Sequence, residues 1–374
     1  MLGTDPAGRG GVASVVRQYG AVGMFDGGHI RYLVTHHGMS AGGRLLPPLR
    51  GALTLWTALF LDRVQLIHAH TSYGRSFWRK FLITFPALLL GVPVLVHLHS
   101  GKFPEFHAEG GAWRRNCLRF LFRRAWRVIA VSEELRRWVL TIEPGARVEV
   151  VHNSLAAQTG LSIPTSSHPN PTILFLGRVD ENKGAYDLLR AFAAVRSALP
   201  SARLVFGGDG DIERFLRSAR DLGVTDSVTY VGWADGEQKA KLLAECWVLA
   251  LPSYKEGLPM TVIEAMAFTR AVVATPVGGI PQAVHDGTTG ILVKPGNVAA
   301  LADGLLRILT DAKTAARMGR AGRALFERHY SHEASLAKLL ALYRQAGATD
   351  LPILNFSNPV LPRRPEFVGQ PASR

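Results

Sequence analysis

Short apolar runs alternate with segments of helical periodicity along most of the chain. An apolar run of strand length is typical of a buried parallel strand, and apolar residues that recur every three or four positions predict an amphipathic helix. In the first half the predicted strands are Ile30–Thr35, Val64–His68, Val94–Leu98, Arg127–Val131 and Val148–Val151. The predicted helices cover residues 12–19, 47–61, 74–90, 112–124 and 132–140. This alternation predicts an α/β fold built on a parallel sheet with right-handed crossovers.

The alternation stops at residues 156–171, which are rich in Pro, Ser and Thr and predict a linker. It then resumes with predicted strands Ile173–Leu176, Arg203–Phe206, Val228–Val231, Val248–Leu251, Ala271–Ala274 and Ile291–Val293. The predicted helices there cover residues 184–198, 211–221, 236–244, 259–267, 298–309, 313–328 and 332–346. We therefore expect two doubly wound domains, at 1–160 and 168–331, and a separate last helix. Residues 347–374 hold five prolines and no apolar period, which predicts a disordered tail.

Composition narrows the class of protein. The formal net charge is +14, and it is uneven: residues 1–165 hold 19 Lys and Arg against 9 Asp and Glu. A basic half suits an anionic substrate, an anionic membrane surface or a nucleic acid. Two cysteines make neither a disulfide framework nor a zinc signature, so we expect a cytoplasmic protein. The longest apolar run, Phe81 to Val96, is broken by prolines and a glycine and predicts no membrane span.

The segment from Tyr254 to Ala267, YKEGLPMTVIEAMA, is the first candidate for chemistry. It follows an apolar run, so Glu256 should lie in a strand-to-helix loop, Pro259 at the first helical position and Glu264 on the second turn. Open α/β sheets bind ligands at this carboxyl edge, and free amides at a helix N-terminus suit a phosphate or a sugar oxygen. The segment therefore predicts a ligand site, although two surface glutamates on an ordinary βα unit would have the same pattern.

Two further loops point to the same edge. LGRVDENKG puts Arg178 just past a strand and Lys183 at the start of a helix, where two cations would neutralise a diphosphate. FGGDGD, around Gly208, is a glycine turn that we expect to line a nucleotide site. Its Asp211 is better explained as a helix N-cap than as a metal ligand.

Histidines and glycines in the first half raise separate hypotheses. We expect His97 and His99 to face opposite sides of the sheet, with His99 toward the ligand edge. His68 and His70 are expected to be residues of the fold, and no metal site is predicted. The glycines at 8–11 suit either a phosphate cradle or a frayed terminus. Only four residues precede that loop, so we expect its strand to begin upstream.

Two predicted helices mix arginines with aromatic residues. The segments 75–90 and 111–127 carry Arg and Lys among Trp, Phe and Leu. Such helices suit an anionic membrane surface, or simply a solvated basic face over a core face. A basic surface could also bind RNA, but no recognition motif for it is present.

Together these segments resemble a known family, the retaining GT-B glycosyltransferases of the bacterial "glycosyl transferases group 1" family, or family four. The segments that carry the resemblance are GRGG, HLHSG, VIAVSEEL, VEVVHNS, FLGRVDENKG, FGGDGD, YVGW, EGLPMTVIEAMA and ATPVGGIPQAV. The resemblance covers residues 1–346. It implies two Rossmann-like domains that face each other across a cleft, with the acceptor in the first, the nucleotide-sugar in the second, and the helix 332–346 crossing back to the first.

The resemblance also implies roles for single residues. Arg178 and Lys183 would hold the donor diphosphate, and Glu256 would contact the transferred sugar. Glu264 would bind the ribose, and His99 would lie near the anomeric carbon. Four glycine or backbone positions would complete the donor site: Gly10, Gly11, Gly257 and Leu258. No metal or cofactor is expected beyond a UDP- or GDP-linked sugar.

The implied activity is transfer of a sugar, with retention, to a lipid-linked or oligosaccharide acceptor in exopolysaccharide, capsule or O-antigen synthesis. The expected place is the cytoplasm, or the inner face of the cell membrane as a peripheral protein. Two alternatives remain at this point. One is a sugar-nucleotide epimerase, which should lack paired glutamates at this spacing. The other is a basic nucleic-acid-binding or scaffold protein on a decayed fold, for which Glu256 would be dispensable.

Overall fold

The chain forms two compact units, each built on a six-stranded parallel sheet. The computed structural model describes residues 1–8, 11–35, 46–61, 64–156, 171–354 and 356. The first unit comprises Met1–Ala156 and His332–Arg374, and the second comprises Ala157–Ser331. The predicted α/β fold with two doubly wound sheets is therefore confirmed.

The first sheet has the order β2-β1-β3-β4-β5-β6. Its strands are β1 (Leu2–Gly3), β2 (Leu33–Val34), β3 (Ile67–Thr71), β4 (Val94–Leu98), β5 (Arg127–Ala130) and β6 (Val148–Val150). The helices of this segment are α1 (Gly11–Ala21), α2 (Leu46–Leu61), α3 (Arg75–Leu89), α4 (Phe103–Ala108), α5 (Ala112–Arg124) and α6 (Glu133–Ile142). The first strand is short, yet it pairs with both β2 and β3.

The second sheet has the order β12-β11-β10-β7-β8-β9. Its strands are β7 (Thr172–Leu176), β8 (Arg203–Gly207), β9 (Val228–Tyr230), β10 (Val248–Leu251), β11 (Ala271–Ala274) and β12 (Gly290–Leu292). Its helices are α7 (Ala185–Ala198), α8 (Ile212–Asp221), α9 (Gly236–Glu245), α10 (Met260–Ala267), α11 (Ile280–Ala283), α12 (Val298–Thr310) and α13 (Ala312–His329). Strands β10 and β11 are buried along their whole length, as expected for parallel strands in the middle of a sheet.

The last helix, α14 (His332–Gln345), belongs to the first unit. At its start the His332 amide donates to the Leu155 carbonyl at 3.1 Å, and the His332 ring contacts Ser154. Near its end the Tyr343 hydroxyl bonds to Nδ1 of His68 at 2.5 Å. The first unit is thus made from two separate stretches of chain.

Prediction and structure differ mainly at short elements. Helices α4 and α11 were not predicted, because six and four residues are too few to show a helical period. Strand β3 is Ile67–Thr71 rather than Val64–His68, since the apolar run begins before the paired residues. The expected linker lies largely outside the described residues, as does most of the expected tail.

Helix α13 packs through two glycines against α10 and the segment that follows it. A Cβ built on Gly319 would lie 2.1 Å from the Thr269 carbonyl oxygen, so a side chain there has no room. A Cβ on Gly322 would meet Met266 at 3.6 Å, which is ordinary van der Waals contact. The close approach at Gly319 therefore holds α13 against the helix that carries Glu264.

We predict opposite effects for alanine at these two glycines. Gly319→Ala must push α13 away from Thr269 and should lower the free energy of unfolding by about 2 kcal/mol or more. Gly322→Ala removes a glycine from a helix interior and should raise stability by up to about 1 kcal/mol. Chemical denaturation of both variants checks this; equal effects of the two substitutions would contradict the packing described.

Candidate functional site

The strand order of the second sheet creates a switch point between β7 and β10. From β7 the chain continues to one side of the sheet, through β8 and β9, and from β10 it continues to the other side. The loops that follow β7 and β10 therefore diverge at the carboxyl edge, and open α/β sheets bind ligands in the crevice between such loops.

A backbone contact joins these two loops. Gly184 has φ of +67°, and a Cβ on it would lie 2.1 Å from the Pro252 carbonyl oxygen. The amide of Tyr254 also donates to the carbonyl of Asn182 at 2.8 Å. Only glycine tolerates both the left-handed conformation and the close approach. The residue beside it, Lys183, is consequently held against the loop after β10.

Lys183 and Glu256 form an ion pair at this junction. The Lys183 ammonium lies 2.5 Å from Oε1 of Glu256, and the Ser253 hydroxyl donates to the same oxygen at 2.7 Å. The Glu256 side chain is 8% exposed and the Lys183 side chain is 25% exposed. A charge-assisted contact of this kind is strong, but it remains open enough on the lysine side for an anionic ligand to compete for it.

The loop continues into α10 through Gly257, Leu258 and Pro259. The helix begins at Met260, so Pro259 is its N-cap rather than its first residue as expected, a difference of one position. The Gly257 carbonyl accepts from the amide of Gly279, and Leu258 is buried. The loop after β11 therefore supports this segment from the other side.

Glu264 is paired with a residue that the sequence did not indicate. Its Oε1 accepts from the Lys239 ammonium of α9 at 2.5 Å, and the Glu264 side chain is only 3% exposed. Its Oε2 is buried and has no hydrogen-bond partner among the described residues. Lys239 was missed because it comes 25 positions earlier on another helix, and nothing local marks it.

Arg178 and Gly208 lie on two loops that are joined by their backbones. A Cβ on Gly208, whose φ is +155°, would lie 1.8 Å from the Gly177 carbonyl oxygen. The Arg178 side chain is 63% exposed and its Nε lies 3.2 Å from Asp180. Asp211 accepts from the amide of Arg214 and caps α8, as predicted. This geometry presents an exposed guanidinium at the carboxyl edge.

The histidines of the first unit form one buried cluster. His68, His70, His97 and His99 have ring centroids 4.0–5.3 Å from their neighbours. The expectation that His97 and His99 face opposite sides of the sheet is wrong, because residues two apart along a strand share a face. His99 bonds through Nε2 to Nδ1 of His70 at 2.8 Å.

Burial keeps these imidazoles neutral. Desolvation lowers the pKa of His99 to about 3 and lowers the pKa of His68, His70 and His97 well below the ordinary value. Desolvation likewise lowers the pKa of His332 to about 4. The folded protein therefore resists protonation at pH values where an exposed histidine would be charged.

We predict an acid-sensitive first unit. Below a pH of about 6.5 the histidines of the unfolded chain bind protons, whereas the buried histidines of the folded protein do not. The free energy of unfolding should therefore fall as the pH falls. The fall should reach about 1.4 kcal/mol per pH unit for each such histidine until its folded pKa is approached. Denaturation in EDTA at pH 7 and pH 5, followed by tryptophan fluorescence, measures it; five of the seven tryptophans lie in the first unit. A smaller pH dependence is expected for His332→Asn, and identical stabilities of the wild type at both pH values would refute the prediction.

The expected residues are thus only partly brought together. The second unit joins Lys183 to Glu256 directly and carries Glu264, Gly257 and Leu258 on the same loop and helix. His99 belongs to the first unit. Gly10 lies outside the described residues, and Gly11 is the first residue of α1 with open space around its Cβ position. Among the described helices none is long and apolar enough to cross a membrane.

Two family models match the chain, one for each unit. Residues 12–157 match the model "Glycosyltransferase Family 4", and residues 162–325 match "Glycosyl transferases group 1". Two curated proteins illustrate the similarity. An alpha-D-kanosaminyltransferase of Streptomyces kanamyceticus is 27% identical over 75% of this chain and 77% of its own length. A D-inositol 3-phosphate glycosyltransferase of Corynebacterium diphtheriae is 31% identical over 57% of this chain and 52% of its own length. The matched part of the chain therefore spans 77% of the first relative's length and 52% of the second's.

Solved structures share the fold. Sucrose-phosphate synthase from Thermosynechococcus elongatus superposes with a TM-score of 0.73, at 24% identity, over 93% of this chain and 98% of its own. The Anabaena protein HepE in complex with UDP superposes with a TM-score of 0.70, at 19% identity, over 85% of this chain and 87% of its own.

Proposed function

The chain belongs to the GT-B glycosyltransferases of the group 1 family, and we propose that it transfers a sugar from a UDP- or GDP-linked donor, with retention, to a lipid-linked or oligosaccharide acceptor. The setting would be bacterial exopolysaccharide, capsule or O-antigen synthesis, in the cytoplasm at the inner face of the cell membrane. The complex of HepE with UDP supports a nucleotide-sugar donor. The names of the two relatives differ, one by the kanosaminyl group that it transfers and the other by inositol 3-phosphate, which leaves the acceptor open.

The observation that carries this proposal is the Lys183–Glu256 pair at the switch point of the second sheet. A donor diphosphate would compete with Glu256 for the Lys183 ammonium and release the carboxylate. A released carboxylate can accept hydrogen bonds from the hydroxyls of the transferred sugar. When the diphosphate replaces Glu256 at Lys183, the lysine thus becomes a cation for the phosphates, and the carboxylate becomes a hydrogen-bond acceptor for the sugar hydroxyls.

Two further groups would complete the donor site. Arg178 is exposed at the carboxyl edge and can hold phosphate oxygens in a bidentate manner. Glu264 keeps one oxygen on Lys239, while its unpartnered Oε2 could accept from ribose hydroxyls. Gly257 and Leu258 would add backbone amides, and the contact of His99 with the sugar, like the roles of Gly10 and Gly11, is part of the same proposal.

The chemistry would be electrostatic. As the bond between the anomeric carbon and the phosphate oxygen breaks, negative charge grows on the departing diphosphate, and Lys183 and Arg178 would stabilise it. The acceptor hydroxyl would attack the same face of the sugar and pass its proton to the departing phosphate oxygen. This route gives retention without a protein nucleophile. The positive charge that stabilises the departing diphosphate would come from Lys183 and Arg178 rather than from a metal ion.

We predict that Lys183 acts mainly on nucleotide binding and Glu256 mainly on the rate of sugar transfer. Calorimetric titration without added metal should show that the wild type binds UDP or GDP. Lys183→Ala removes a charge-assisted contact of about 1.5–3 kcal/mol and should weaken nucleotide binding about tenfold or more. Glu256→Ala should leave nucleotide binding within a few-fold but lower the transfer rate by about a hundredfold or more, since its partner would be the sugar.

An exposed ion pair of the same unit supplies the control. Lys241 and Glu245 lie 3.9 Å apart on α9 and are 73% and 51% exposed. Lys241→Ala and Glu245→Ala should change neither binding nor transfer. A wild type that binds neither nucleotide would contradict the donor site and favour a scaffold protein, and full transfer by Glu256→Ala would overturn its role.

The surface of the first unit supports a membrane-borne acceptor. Large apolar side chains are exposed on three of its helices, or directly after one of them, and form what we call the apolar face: Leu53, Trp56, Phe60, Leu61, Leu82, Phe85, Leu89, Leu90 and Trp113. Among the described residues of the second unit, the only exposed large hydrophobic side chains are those of Leu216, Leu222 and Tyr254. A cluster of this size is uncommon on a soluble monomer and marks an interaction surface.

Contacts between the three helices make this face continuous. Trp56 of α2 donates to the Ile83 carbonyl of α3 at 3.1 Å. Trp78 of α3 stacks on Trp113 of α5 with ring centroids 4.8 Å apart. Arg124 donates to the Leu88 carbonyl, which brings a cation to the apolar end of α3. An apolar face with arginines around it suits an anionic bilayer, where cations meet headgroups and apolar side chains enter the acyl boundary.

We predict that the protein binds mixed phosphatidylglycerol–phosphatidylcholine vesicles, more weakly as salt rises, and binds pure phosphatidylcholine poorly. Replacing both Leu89 and Leu90 by serine should weaken binding about tenfold, because two exposed apolar side chains are lost. Serine at Leu216 and Leu222 in the second unit is the matched control and should have no effect. Sedimentation with vesicles measures this binding. If the wild type does not bind anionic vesicles at low salt, the proposed membrane contact is refuted.

A further inference from the structure

Two His-x-His segments lie side by side in the first sheet. His68 and His70 follow one another along β3, and His97 and His99 along the end of β4. His70 and His97 are direct partners in the register of the two strands. Since residues two apart share a face, all four imidazoles project from the same side of the sheet. Two histidines in this spacing on a strand can ligate one ion together, and here two such pairs are adjacent.

The cluster leaves buried nitrogens without partners. His68, His70 and His97 are at most 2% exposed. In the described part of the chain, Nε2 of His70 and Nε2 of His97 have no hydrogen-bond partner. A buried polar atom without a partner is costly, so two in one cluster require an explanation such as a bound ion or water.

The hydrogen bonds of the cluster fit imidazoles that are ready to bind a metal. If Nδ1 of His68 donates to the Tyr343 hydroxyl, its Nε2 is unprotonated and lies 3.2 Å from Nδ1 of His97, a contact that a metal would replace. If Nδ1 of His70 donates to Nε2 of His99, the Nε2 of His70 carries a lone pair with no hydrogen-bond partner among the described residues. Metal-bound histidines typically donate their second ring nitrogen in this way, which fixes the tautomer and the ring orientation.

We propose that His68, His70 and His97 bind a divalent transition metal of the Zn²⁺ type, with Tyr343 and His99 as the groups that orient the ligands. One ring nitrogen of each of these three histidines lies within 4.8 Å of the other two. Zn–N bonds of about 2.0–2.1 Å require ligand nitrogens about 3.4 Å apart, so the nitrogens would have to approach one another by at most about 1.4 Å. A water molecule would complete the tetrahedron.

The histidines of the cluster and the nearby Lys80 have opposite effects on metal binding. Neutral imidazoles are the form of histidine that binds a metal. Lys80 on α3 is close enough to lower the pKa of His70, and as a cation it would oppose the metal. Burial lowers the pKa of Lys80 itself to about 7, so that much of the lysine is neutral at neutral pH. The metal would tie β3 to β4 and, through Tyr343, to α14, and its role would be structural.

The test uses the full chain stripped of metal and titrated with Co²⁺ and Zn²⁺. The expected result is one equivalent of Co²⁺ with the visible absorption of a four-coordinate nitrogen site, displaced by Zn²⁺, and a raised melting temperature. His97→Gln should weaken Co²⁺ binding at least tenfold. His107→Gln, a histidine of the same unit on α4, is the matched control and should bind as the wild type does.

A second variant keeps the proposal testable if His97→Gln does not fold. His97→Cys replaces one metal ligand by another. If position 97 ligates cobalt, this variant should show the near-ultraviolet charge-transfer band of a thiolate bound to Co²⁺, and if His97 has only a structural role, the band should be absent. Wild-type protein that takes up less than a stoichiometric amount of both metals, or that binds them equally after His97→Gln, overturns the proposal. In that case the four imidazoles are a hydrogen-bonded cluster. Nucleotide binding by the second unit, measured on the same samples, separates this failure from one of the proposed transfer activity.

Discussion

The candidate donor site depends on the approach of one backbone to another. Gly184 lies so close to the Pro252 carbonyl that no side chain fits, and this contact brings the loops after β7 and β10 together. Two neighbouring approaches work in the same way, since Gly208 faces the Gly177 carbonyl and Gly278 faces the Glu256 carbonyl. The positions of Lys183, Arg178 and Glu256 are therefore fixed by main-chain contacts beneath them. A site supported in this way is preorganised before any ligand arrives, which is what electrostatic stabilisation of a leaving group requires.

Both glutamates of the site are already paired with lysines. Glu256 is held by Lys183 and Glu264 by Lys239, and both carboxylates are largely buried. An unpaired carboxylate at such depth would be costly, so the lysines make the carboxylates tolerable in the absence of ligand. The two pairs differ in what a ligand could do with them. Lys183 adjoins the switch point, where an anion can replace its partner, whereas Lys239 fixes one oxygen of Glu264 and leaves the other without a bond.

The sequence was informative where the signal is local. Val94–Leu98 and Val248–Leu251 were predicted to the residue, because a buried parallel strand is a continuous apolar run between polar loops. The loops around Arg178 and Glu256 were found because a strand, a glycine and a helix occur in that order. Signals that depend on distant parts of the chain were missed. The partnership of Lys239 with Glu264 and that of Tyr343 with His68 leave no local trace. The histidine cluster was missed for a different reason, since His97 and His99 were assigned to opposite faces against the period of a strand.

The return of α14 to the first unit has a consequence for synthesis. Tyr343 bonds to a residue 275 positions earlier, and the whole second unit is encoded between the two. During translation the second unit can therefore complete its core while the first still lacks a helix, although domains are generally expected to fold in order from the N-terminus. Until α14 leaves the ribosome, Nδ1 of His68 lacks the Tyr343 hydroxyl, and the apolar side chains that α14 will cover are open to water. The first unit starts the chain but is the last to be completed.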